Sequence, residues 1–383
     1  MVTIKKVEGR RELRAFIRFN YHLYKGNPYA VPDFLEDMLD TFNRKKNAAF
    51  EFCEADLFLA YRDKEIVGRV VAIINHKANK TWGTKNVRFG WIDFIDDIEV
   101  LKALMDTVEQ WGRERGMNKI VGPLGFTDMD PEGMLTEGFD QLSTMSTSYN
   151  YPYYPKLIEQ LGFEKEVDWV ERKVMVPTAD AQADAAKYIR VAELSSKRYN
   201  LHMRRFKSHK EILEAADGQY VQKIFDVINR SYANLYGYSQ MNERQIKQYA
   251  DTYLPFLDTR LLAVVEDENN EPIAVGICIG SLSYALQKAH GKLFPFGWWH
   301  LAKAVYIKPA PVLDMLLIGV LPEWQNKGVN ALLFAEIIPV AQKMGFVWAE
   351  THVQLEDNEK SQVQWAHLDC TIHKRRRCYK KDL

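Results

Sequence analysis

Two stretches of the chain have the pattern of a β-hairpin. Residues 55–75 read ADLFLAYRDKEIVGRVVAIIN, which is two apolar runs separated by a charged turn at residues 62–65. Residues 259–280 read TRLLAVVEDENNEPIAVGICIG, again two apolar runs, here separated by an acidic and asparagine-rich turn. Short apolar runs on both sides of a polar turn are typical of paired antiparallel strands. The sequence therefore predicts one hairpin in each half of the chain.

Helical patterns surround both hairpins in the same order. Two segments with helical spacing precede each hairpin, at residues 11–24 and 34–46 and at residues 219–236 and 242–253. Each hairpin is followed by a strand and then by a helix that ends in a glycine, at residues 109–116 and 336–345. Another strand follows each glycine. The recurrence of the same elements in the same order predicts an internal duplication.

The duplicated pattern sets our expectation for the fold class. We predict an α/β chain (an α+β mixed sheet) built from two tandem domains, each organised around a largely antiparallel sheet. The polar, alanine-rich segment 178–186 is the expected seam. The two domains are therefore predicted at residues 1–177 and 178–383.

Composition narrows the class of protein. A chain of 383 residues with 47% hydrophobic residues can fill the cores of two or three domains. Lys plus Arg equals Asp plus Glu at 51 each, so no net charge draws the chain to nucleic acid. The four cysteines form neither a C-x-x-C motif nor a metal-ligand spacing with histidine, so we expect no metal site. Without a signal peptide or a membrane-spanning run, we expect a soluble, cytoplasmic protein.

One polar turn stands out between an apolar run at residues 312–321 and the helix-forming sequence ALLFAEII. Its residues are Gln325, Asn326, Lys327, Gly328, Val329 and Asn330. The first N–H groups of a helix have no partner within the helix, and the helix dipole adds partial positive charge there. A phosphate fits such a place. Gly328 would let the backbone approach a ligand closely, and Lys327 would add a cation.

In its setting, the sequence VLPEWQNKGVNALL resembles motif A of the GNAT acyltransferases. That motif, Q/R-x-x-G-x-G/A, lies between the fourth strand and the third helix of the family's fold. The resemblance falls on Gln325, Gly328 and Asn330, where Asn330 departs from the usual Gly or Ala. It implies that the backbone amides of the turn bind the pyrophosphate of coenzyme A.

The resemblance extends to the flanking segments. Val320 matches the valine at which the strand commonly splays, so the strand edge would bind the pantetheine arm through Leu317, Ile318, Gly319 and Val320. The sequence ETHVQLEDN matches the fifth strand, and its Asn358 matches an asparagine that often contacts coenzyme A. TIHKRRRCYKK resembles the closing strand pair.

The first half resembles the same fold but lacks the motif. Its equivalent turn, FIDDIEVLKALM, places Asp96 and Asp97 at the start of a helix. Carboxylates cap a helix well at this position, but two of them would repel a pyrophosphate. We therefore expect a first domain without a cofactor of its own.

The whole chain is similar to a narrower group with tandem GNAT-like domains, the bacterial ceramide synthase-like proteins. The resemblance rests on LYKGNPYAVPDF, GPLGFTDMDPEGMLTEGFD, YYPKLIEQLGFEKEVDW and KLFPFGWWHLAKA. It implies transfer of a fatty acyl group from a thioester to the amine of a sphingoid base. One departure is the loop LYGYSQMNERQ, where relatives tend to carry Trp-Gly-Phe; its Tyr236 is a candidate acceptor-binding residue.

An aromatic segment between the third and fourth strands of the second domain is the candidate site for a lipid acceptor. It holds Phe294, Phe296, Trp298 and Trp299 within nine residues, with lysines at positions 288, 292, 303 and 308. Aromatics and lysines together are typical of membrane interfaces. They equally suit a lid over an acyl chain, or a buried lid or interdomain contact.

The chemistry implied by the resemblance requires little from the protein. A base removes a proton from the amine, and backbone N–H groups polarise the thioester carbonyl. Asp314, six residues before Val320, lies where several GNAT enzymes carry a catalytic glutamate and is the preferred base. Glu350 and His352 on the next strand are the alternatives.

Three functions stay open at this point. The first is an acyl-CoA-dependent N-acyltransferase acting on a lipid amine, with peripheral contact to a membrane surface. The second is a small-substrate N-acetyltransferase acting on amino sugars, amino acids or polyamines. The third is a non-catalytic GNAT-fold binding protein. The aromatic segment favours the first over the second, and the intact motif in one half opposes the third.

Overall fold

A computed structural model describes residues 1–178, 182–366 and 368–383. The chain forms two compact units. The first unit comprises Met1–Val170, Leu282–Lys303 and His373–Leu383, and the second comprises Glu171–Ser281 and Ala304–Ile372. The expected boundary at residues 177 and 178 assigned two of these segments, 282–303 and 373–383, to the second domain. Both pack with the first unit instead.

The first half of the chain contains most elements of the first unit. They are β1 (Val2–Lys6), α1 (Gly9–Leu23), α2 (Leu35–Thr41), β2 (Cys53–Arg62), β3 (Glu65–Asn75), α3 (His76–Trp82), β4 (Asn86–Phe94), α4 (Ile98–Arg113), β5 (Lys119–Gly122), β6 (Met134–Glu137), α5 (Tyr153–Gln160) and β7 (Glu164–Met175). Strand β7 begins in the first unit and ends in the second.

The second half of the chain repeats this order with insertions. Its elements are α6 (Gln182–Tyr199), β8 (His202–Arg204), α7 (His209–Glu214), α8 (Tyr220–Tyr232), α9 (Glu243–Tyr253), β9 (Leu262–Glu266), β10 (Pro272–Gly280), α10 (Ser283–Ala289), α11 (Gly297–Ala302), β11 (Val312–Val320), α12 (Val329–Met344), β12 (Trp348–Thr351), β13 (Gln354–Leu355), α13 (Glu359–Val363) and β14 (Cys370–Asp382). Helices α10 and α11 lie in the first unit.

Both units are built around the same arrangement of five strands. In the first unit, β1, β2, β3 and β4 pair in sequence as antiparallel neighbours, and β4 then pairs with β5 in parallel. In the second unit, β8, β9, β10 and β11 do the same, and β11 pairs with β12 in parallel. The parallel pairs are connected by α4 and α12. The mixed α/β fold class and the order expected for a duplication are therefore confirmed.

The core of the first unit forms where one face of α4 meets the sheet. Val100, Leu101 and Leu104 on α4 are fully buried, and they lie in one cluster with Val70 and Phe89 of the strands. Their spacing of three and four residues places them on one side of the helix. In the second unit, α12 packs against β9, β10 and α6, and α8 packs against β10 and β11. Helices α8 and α12 thus pack on β10 and β11, and the glycine turn follows β11.

Several elements differ from the sequence-based expectations. The helix expected at residues 34–46 covers only Leu35–Thr41, because Asn43 accepts the N–H of Lys45 through its side chain and turns the chain. TIHKRRRCYKK is not a strand pair but part of one long strand, β14. The expected seam at residues 178–186 overlaps the start of α6, and residues 179–181 lie outside the described part of the chain.

Candidate functional site

Strands β11 and β12 separate after a short parallel pairing. Val312 to Met315 align with Trp348 to Thr351, and the N–H of His352 donates to the carbonyl of Met315 as the last bond between them. Beyond Met315, strand β11 continues to pair with β10 on its other side as far as Val320. Within the described chain, no strand pairs with the β12-facing side of Leu317, Ile318, Gly319 and Val320. These four residues form the open edge.

Side chains form hydrogen bonds with some backbone groups of the open edge. The Tyr232 hydroxyl at the end of α8 donates to the carbonyl of Ile318 at 3.0 Å and accepts the N–H of Ile318 at 3.3 Å. The amide of Gln325 donates to the carbonyl of Val320 at 3.2 Å. Buried backbone groups need such partners when no strand supplies them. Burial raises the pKa of Tyr232 to about 12, so the hydroxyl keeps its proton at neutral pH.

The backbone of the glycine turn exposes a row of N–H groups. Asn326 and Gly328 both have left-handed backbone conformations, with φ of 60° and 75°, and α12 begins at Val329. Among the described residues, the N–H groups from Asn326 to Asn330 have no hydrogen-bond partner. The helix dipole adds partial positive charge to the same place. The turn therefore has the N–H groups and the partial positive charge that a bound anion would need, and anion binding there stays a prediction.

The role expected for Gly328 needs correction. A Cβ at this position would collide with Ser195 and Val191 of α6, and the positive φ also disfavours other residues. The Ser195 hydroxyl donates to the carbonyl of Lys327 at 2.8 Å. The space left by the missing side chain is thus filled by α6 rather than kept for a ligand. Sequence reasoning missed α6 because its segment reads as a polar linker.

Lys327 lies against two aromatic rings beside the turn. Its ammonium is 4.7 Å from the ring centre of Trp324 and 5.5 Å from that of Tyr199. Aromatic faces attract a cation and hold it in place. Lys327 is exposed, so this cation is available to an anion at the turn.

Asp314 and Glu350 lie side by side where the two strands are still paired. They occupy aligned positions of β11 and β12, and their exposed fractions are 2% and 4%. Aligned residues of parallel strands project their side chains to the same face of a sheet. Cys278 on β10 is a neighbour of Asp314. Burial, and secondarily the charge of Asp314, raise the pKa of the Cys278 thiol to about 12. The structure therefore brings the preferred base and one alternative together.

These carboxylates lie at the closed end of the cleft between β11 and β12. Ile318 lies four positions after Asp314, a distance of about 13 Å along an extended strand. His352 follows β12 directly, at the point where the strands part. A ligand arm along the open edge would thus point its inner end toward Asp314, Glu350 and His352.

Two other predicted site residues have local structural roles. The side-chain oxygen of Asn358 accepts the N–H of Ser361 and caps α13. Tyr236 is half-buried in the turn after α8, where the N–H of Leu235 bonds to the carbonyl of Tyr232.

The aromatic segment is held by the first unit and exposes its rings. The N–H of Leu35 donates to the carbonyl of Gly291, and the side-chain amide of Gln287 donates to the carbonyls of Pro28 and Ala30. The exposed fractions of the four rings are 70% for Phe294, 73% for Phe296 and 48% each for Trp298 and Trp299. Side chains with this exposure are not packed as a buried lid.

The equivalent turn of the first unit is closed by an ion pair. Asp97 caps α4 by accepting the N–H of Glu99 at 2.8 Å, and Arg62 binds the same carboxylate at 2.6 Å. The hydrogen bond from Arg62 holds the pKa of Asp97 below its usual range. The positive end of this helix is thus already satisfied by the carboxylate of Asp97, one of the two aspartates expected there.

Two bacterial proteins are similar to this chain over nearly its full length. The chain is 25% identical to Protein YghO of Escherichia coli, over 98% of this chain and 94% of that protein. It is also 25% identical to the bacterial ceramide synthase of Caulobacter vibrioides, over 100% of this chain and 98% of the relative. No family model matches the chain.

Solved structures with the same fold include tandem GNAT proteins. The tandem GNAT protein from the clavulanic acid biosynthesis pathway superposes with a TM-score of 0.56 at 11% identity, covering 100% of this chain and 98% of that one. A GCN5-related N-acetyltransferase from Sphaerobacter thermophilus has a TM-score of 0.52 at 10% identity, covering 100% and 95%. The chain therefore has the tandem GNAT fold, and it is similar over its full length to a bacterial ceramide synthase.

Proposed function

We propose that this chain is an acyl-CoA-dependent N-acyltransferase whose donor site lies in the second unit. The observation that carries the proposal is the pairing of an open strand edge with a turn of unpartnered N–H groups on one continuous stretch, Leu317 to Asn330. A pyrophosphate needs the second of these features, and the amide-bearing arm of coenzyme A needs the first. The open edge comes first, at the end of β11, and the turn follows it at the start of α12.

The second unit's own groups would bind and orient the donor. The N–H groups of the turn and Lys327 would hold the pyrophosphate. The pantetheine arm would replace the Tyr232 hydroxyl at the N–H and carbonyl of Ile318. Because the pKa of Tyr232 is about 12, its hydroxyl suits a hydrogen-bond donor better than a source of protons for a thiolate.

The reaction needs a proton acceptor and a place for a leaving thiolate. The amine loses its proton to a base and attacks the thioester carbonyl, the bond to sulfur then breaks, and the coenzyme A thiolate takes a proton from water. Asp314 at the closed end of the cleft is the preferred acceptor of the amine proton, with Glu350 and His352 as alternatives. An acyl group entering between the parted strands would place its carbonyl near them.

The acceptor that we propose is a primary amine on a long-chain lipid of the sphingoid type. The full-length similarity to a protein named bacterial ceramide synthase supports it. The exposed rings of Phe294, Phe296, Trp298 and Trp299 supply apolar surface for a chain, and each buried CH₂ contributes about 0.8 kcal/mol. A few contacted methylene groups would thus favour a lipid over a water-soluble amine.

The same rings fit peripheral contact with a membrane surface. Lys288, Lys292 and Lys303 accompany them in one segment of the first unit, and each lysine near an anionic surface contributes about 1 kcal/mol. Among the described residues, no helix is both long and apolar enough to cross a bilayer. Contact of this kind would bring the enzyme to the bilayer in which a lipid acceptor resides.

The test is a competition between substrates. Purified protein receives palmitoyl-CoA or acetyl-CoA together with a sphingoid base, spermidine or glucosamine, and the acylated products are quantified. We expect palmitoyl transfer to the sphingoid base to dominate, and Phe294→Ala and Trp298→Ala to lower it several-fold. Trp82→Ala removes an exposed ring elsewhere in the first unit and serves as the matched control.

Other outcomes would contradict the proposal in part or in whole. Faster acetyl transfer to a polar amine would establish the small-substrate acetyltransferase. Binding of coenzyme A without transfer to any amine would leave a non-catalytic binding protein. Intact lipid turnover in both aromatic variants would remove the role proposed for the aromatic segment.

A further inference from the structure

The first unit contains a cavity that the donor site does not use. Its volume is about 50 Å³, whereas a single water needs roughly 10–15 Å³ of such space. The cavity therefore admits a group of a few heavy atoms. Its wall includes the aromatic side chains of Tyr24, Trp91, Tyr149 and Tyr154 and the ionisable side chains of Asp33, Arg69 and Asp93.

The Arg69–Asp93 pair in this wall is already saturated. Arg69 donates from Nε at 2.7 Å and from Nη2 at 2.6 Å to one oxygen of Asp93, and from Nη1 to the carbonyl of Phe16. The other oxygen of Asp93 accepts the hydroxyls of Tyr24 at 2.9 Å and Tyr154 at 3.1 Å. Three donors of Arg69 and both oxygens of Asp93 are thus engaged, and the two charges cancel, so the pair by itself offers no net charge to a ligand.

Asp33 is the charge that remains. Its carboxylate makes no hydrogen bond or ion pair with the described residues, although its backbone carbonyl accepts the Tyr21 hydroxyl at 2.6 Å. Burial raises the pKa of Asp33 to about 6, although the positive charge of Arg69 opposes the rise. At neutral pH the carboxylate is ionised, so the residues that line the cavity carry two negative charges and one positive charge.

Trp91 adds an unusual feature to the same wall. It has a left-handed backbone conformation, with φ of 43°, which is costly for a bulky residue. Its indole Nε1 is buried and has no hydrogen-bond partner in the part of the chain that the structure describes. Strained backbone of this kind concentrates at ligand sites, where the surrounding packing holds it in place.

We propose that this cavity binds the ammonium group of a primary amine, with Asp33 as its counter-charge and the aromatic rings around it. An alkyl ammonium has a pKa near 10.4 and is charged at neutral pH. It would pair with the Asp33 carboxylate and be attracted to the faces of the rings. This ligand site belongs to the first unit and does not depend on the function proposed for the second.

The tail of such an amine has apolar surface available in the same unit. Gly291 packs so closely on Tyr21 and the backbone of Asp33 that a Cβ would collide with both. Gln287 donates to the carbonyl of Ala30, which also lines the cavity. The segment that exposes the four aromatic rings is therefore fastened beside Asp33. Amines with a short alkyl chain are the appropriate probes.

The test uses calorimetry on the full chain at pH 7.5 with hexylamine, hexan-1-ol and hexanoate. We expect hexylamine to bind at least tenfold more tightly than either of the other two. Asp33→Asn should weaken one hexylamine site at least tenfold. Glu36→Gln, which removes an exposed charge three residues away from Asp33, should leave that site unchanged.

Coenzyme A binding and thermal unfolding of each variant show that the fold persists. Asp33→Asn removes a poorly stabilised charge, so it should unfold at the same or a higher temperature than the wild type at pH 7.5. Equal binding of hexanol and hexylamine would overturn the proposal. So would an Asp33→Asn protein that keeps every hexylamine site. Because coenzyme A is titrated separately, failure of the donor site in the second unit would be visible as a different result.

Discussion

The two copies of the fold differ most where the strand before the parallel pair turns into the next helix. In the first unit, β4 leads into α4, whose start is filled by Asp97 and Arg62. In the second unit, β11 leads into α12, and the preceding turn offers N–H groups without partners among the described residues. The backbone plan is the same in both. The side chains at one helix start therefore distinguish the two copies.

The closed ends of the two clefts differ in a second way. In the first unit, Arg88 ends the parallel pairing and donates to the carbonyl of Gly125 at 3.1 Å. In the second unit, Asp314 and Glu350 occupy the corresponding region. An arginine engaged with the backbone cannot accept a proton, whereas a carboxylate can. The difference leaves aligned, buried carboxylates at this end of the second unit and an arginine at the same end of the first.

The largest effect should come from the carboxylate that only the second unit has. Asp314→Asn should lower turnover by roughly ten- to a thousandfold, because it removes the proton acceptor. Donor affinity should change little, since the turn and the open edge remain. Steady-state kinetics at saturating acceptor, together with calorimetry of coenzyme A, measure the two quantities. An unchanged rate would move the role of the base to Glu350 or His352, which Glu350→Gln and His352→Gln then distinguish.

A smaller effect should follow from making the second turn resemble the first. Asn330→Asp places a carboxylate at the start of α12 and should weaken coenzyme A binding about tenfold, because like charges repel near the turn. The same change favours the helix dipole by about 0.3–1 kcal/mol, so the protein should stay folded.

The matched control for this variant lies in the first unit. Asp97→Asn should leave coenzyme A affinity and the stoichiometry of one site per chain unchanged. Calorimetry and thermal unfolding check both proteins. Two coenzyme A sites per wild-type chain, or full affinity in Asn330→Asp, would show that the helix start does not separate the two copies.

The smallest effect should come from Tyr232. Tyr232→Phe removes the hydroxyl that occupies the N–H and carbonyl of Ile318. Coenzyme A should then bind a few-fold more tightly, because the arm no longer displaces this group, and a hydrogen bond contributes about 1 kcal/mol net. Weaker binding in this variant would mean that the hydroxyl contacts the donor directly. Tyr238→Phe, which removes the buried hydroxyl that donates to the side chain of Asn229 on α8, is the control for a lost buried hydroxyl.

The elements of both copies could be predicted from sequence because their signals are local. The hairpins at β2–β3 and β9–β10 follow from apolar runs around polar turns. The ends of α4 and α12, shortly before Gly116 and Gly345, follow from a glycine after a helical pattern. The Asp97 cap is likewise a property of neighbouring residues. The sequence alone therefore determined the duplicated order of elements and the contrast between the two helix starts.

Tertiary structure decided which distant residues meet at the site. Tyr232 reaches Ile318 across 86 positions and Ser195 reaches Lys327 across 132, and neither contact has a local pattern. The same holds for the aromatic segment, which follows β10 in sequence but packs with the first unit. Such contacts depend on how helices and strands pack, because a side chain is fixed by neighbours far away in the chain. The hydroxyl that caps the open edge and the Asp33 cavity are for that reason visible only in the folded protein.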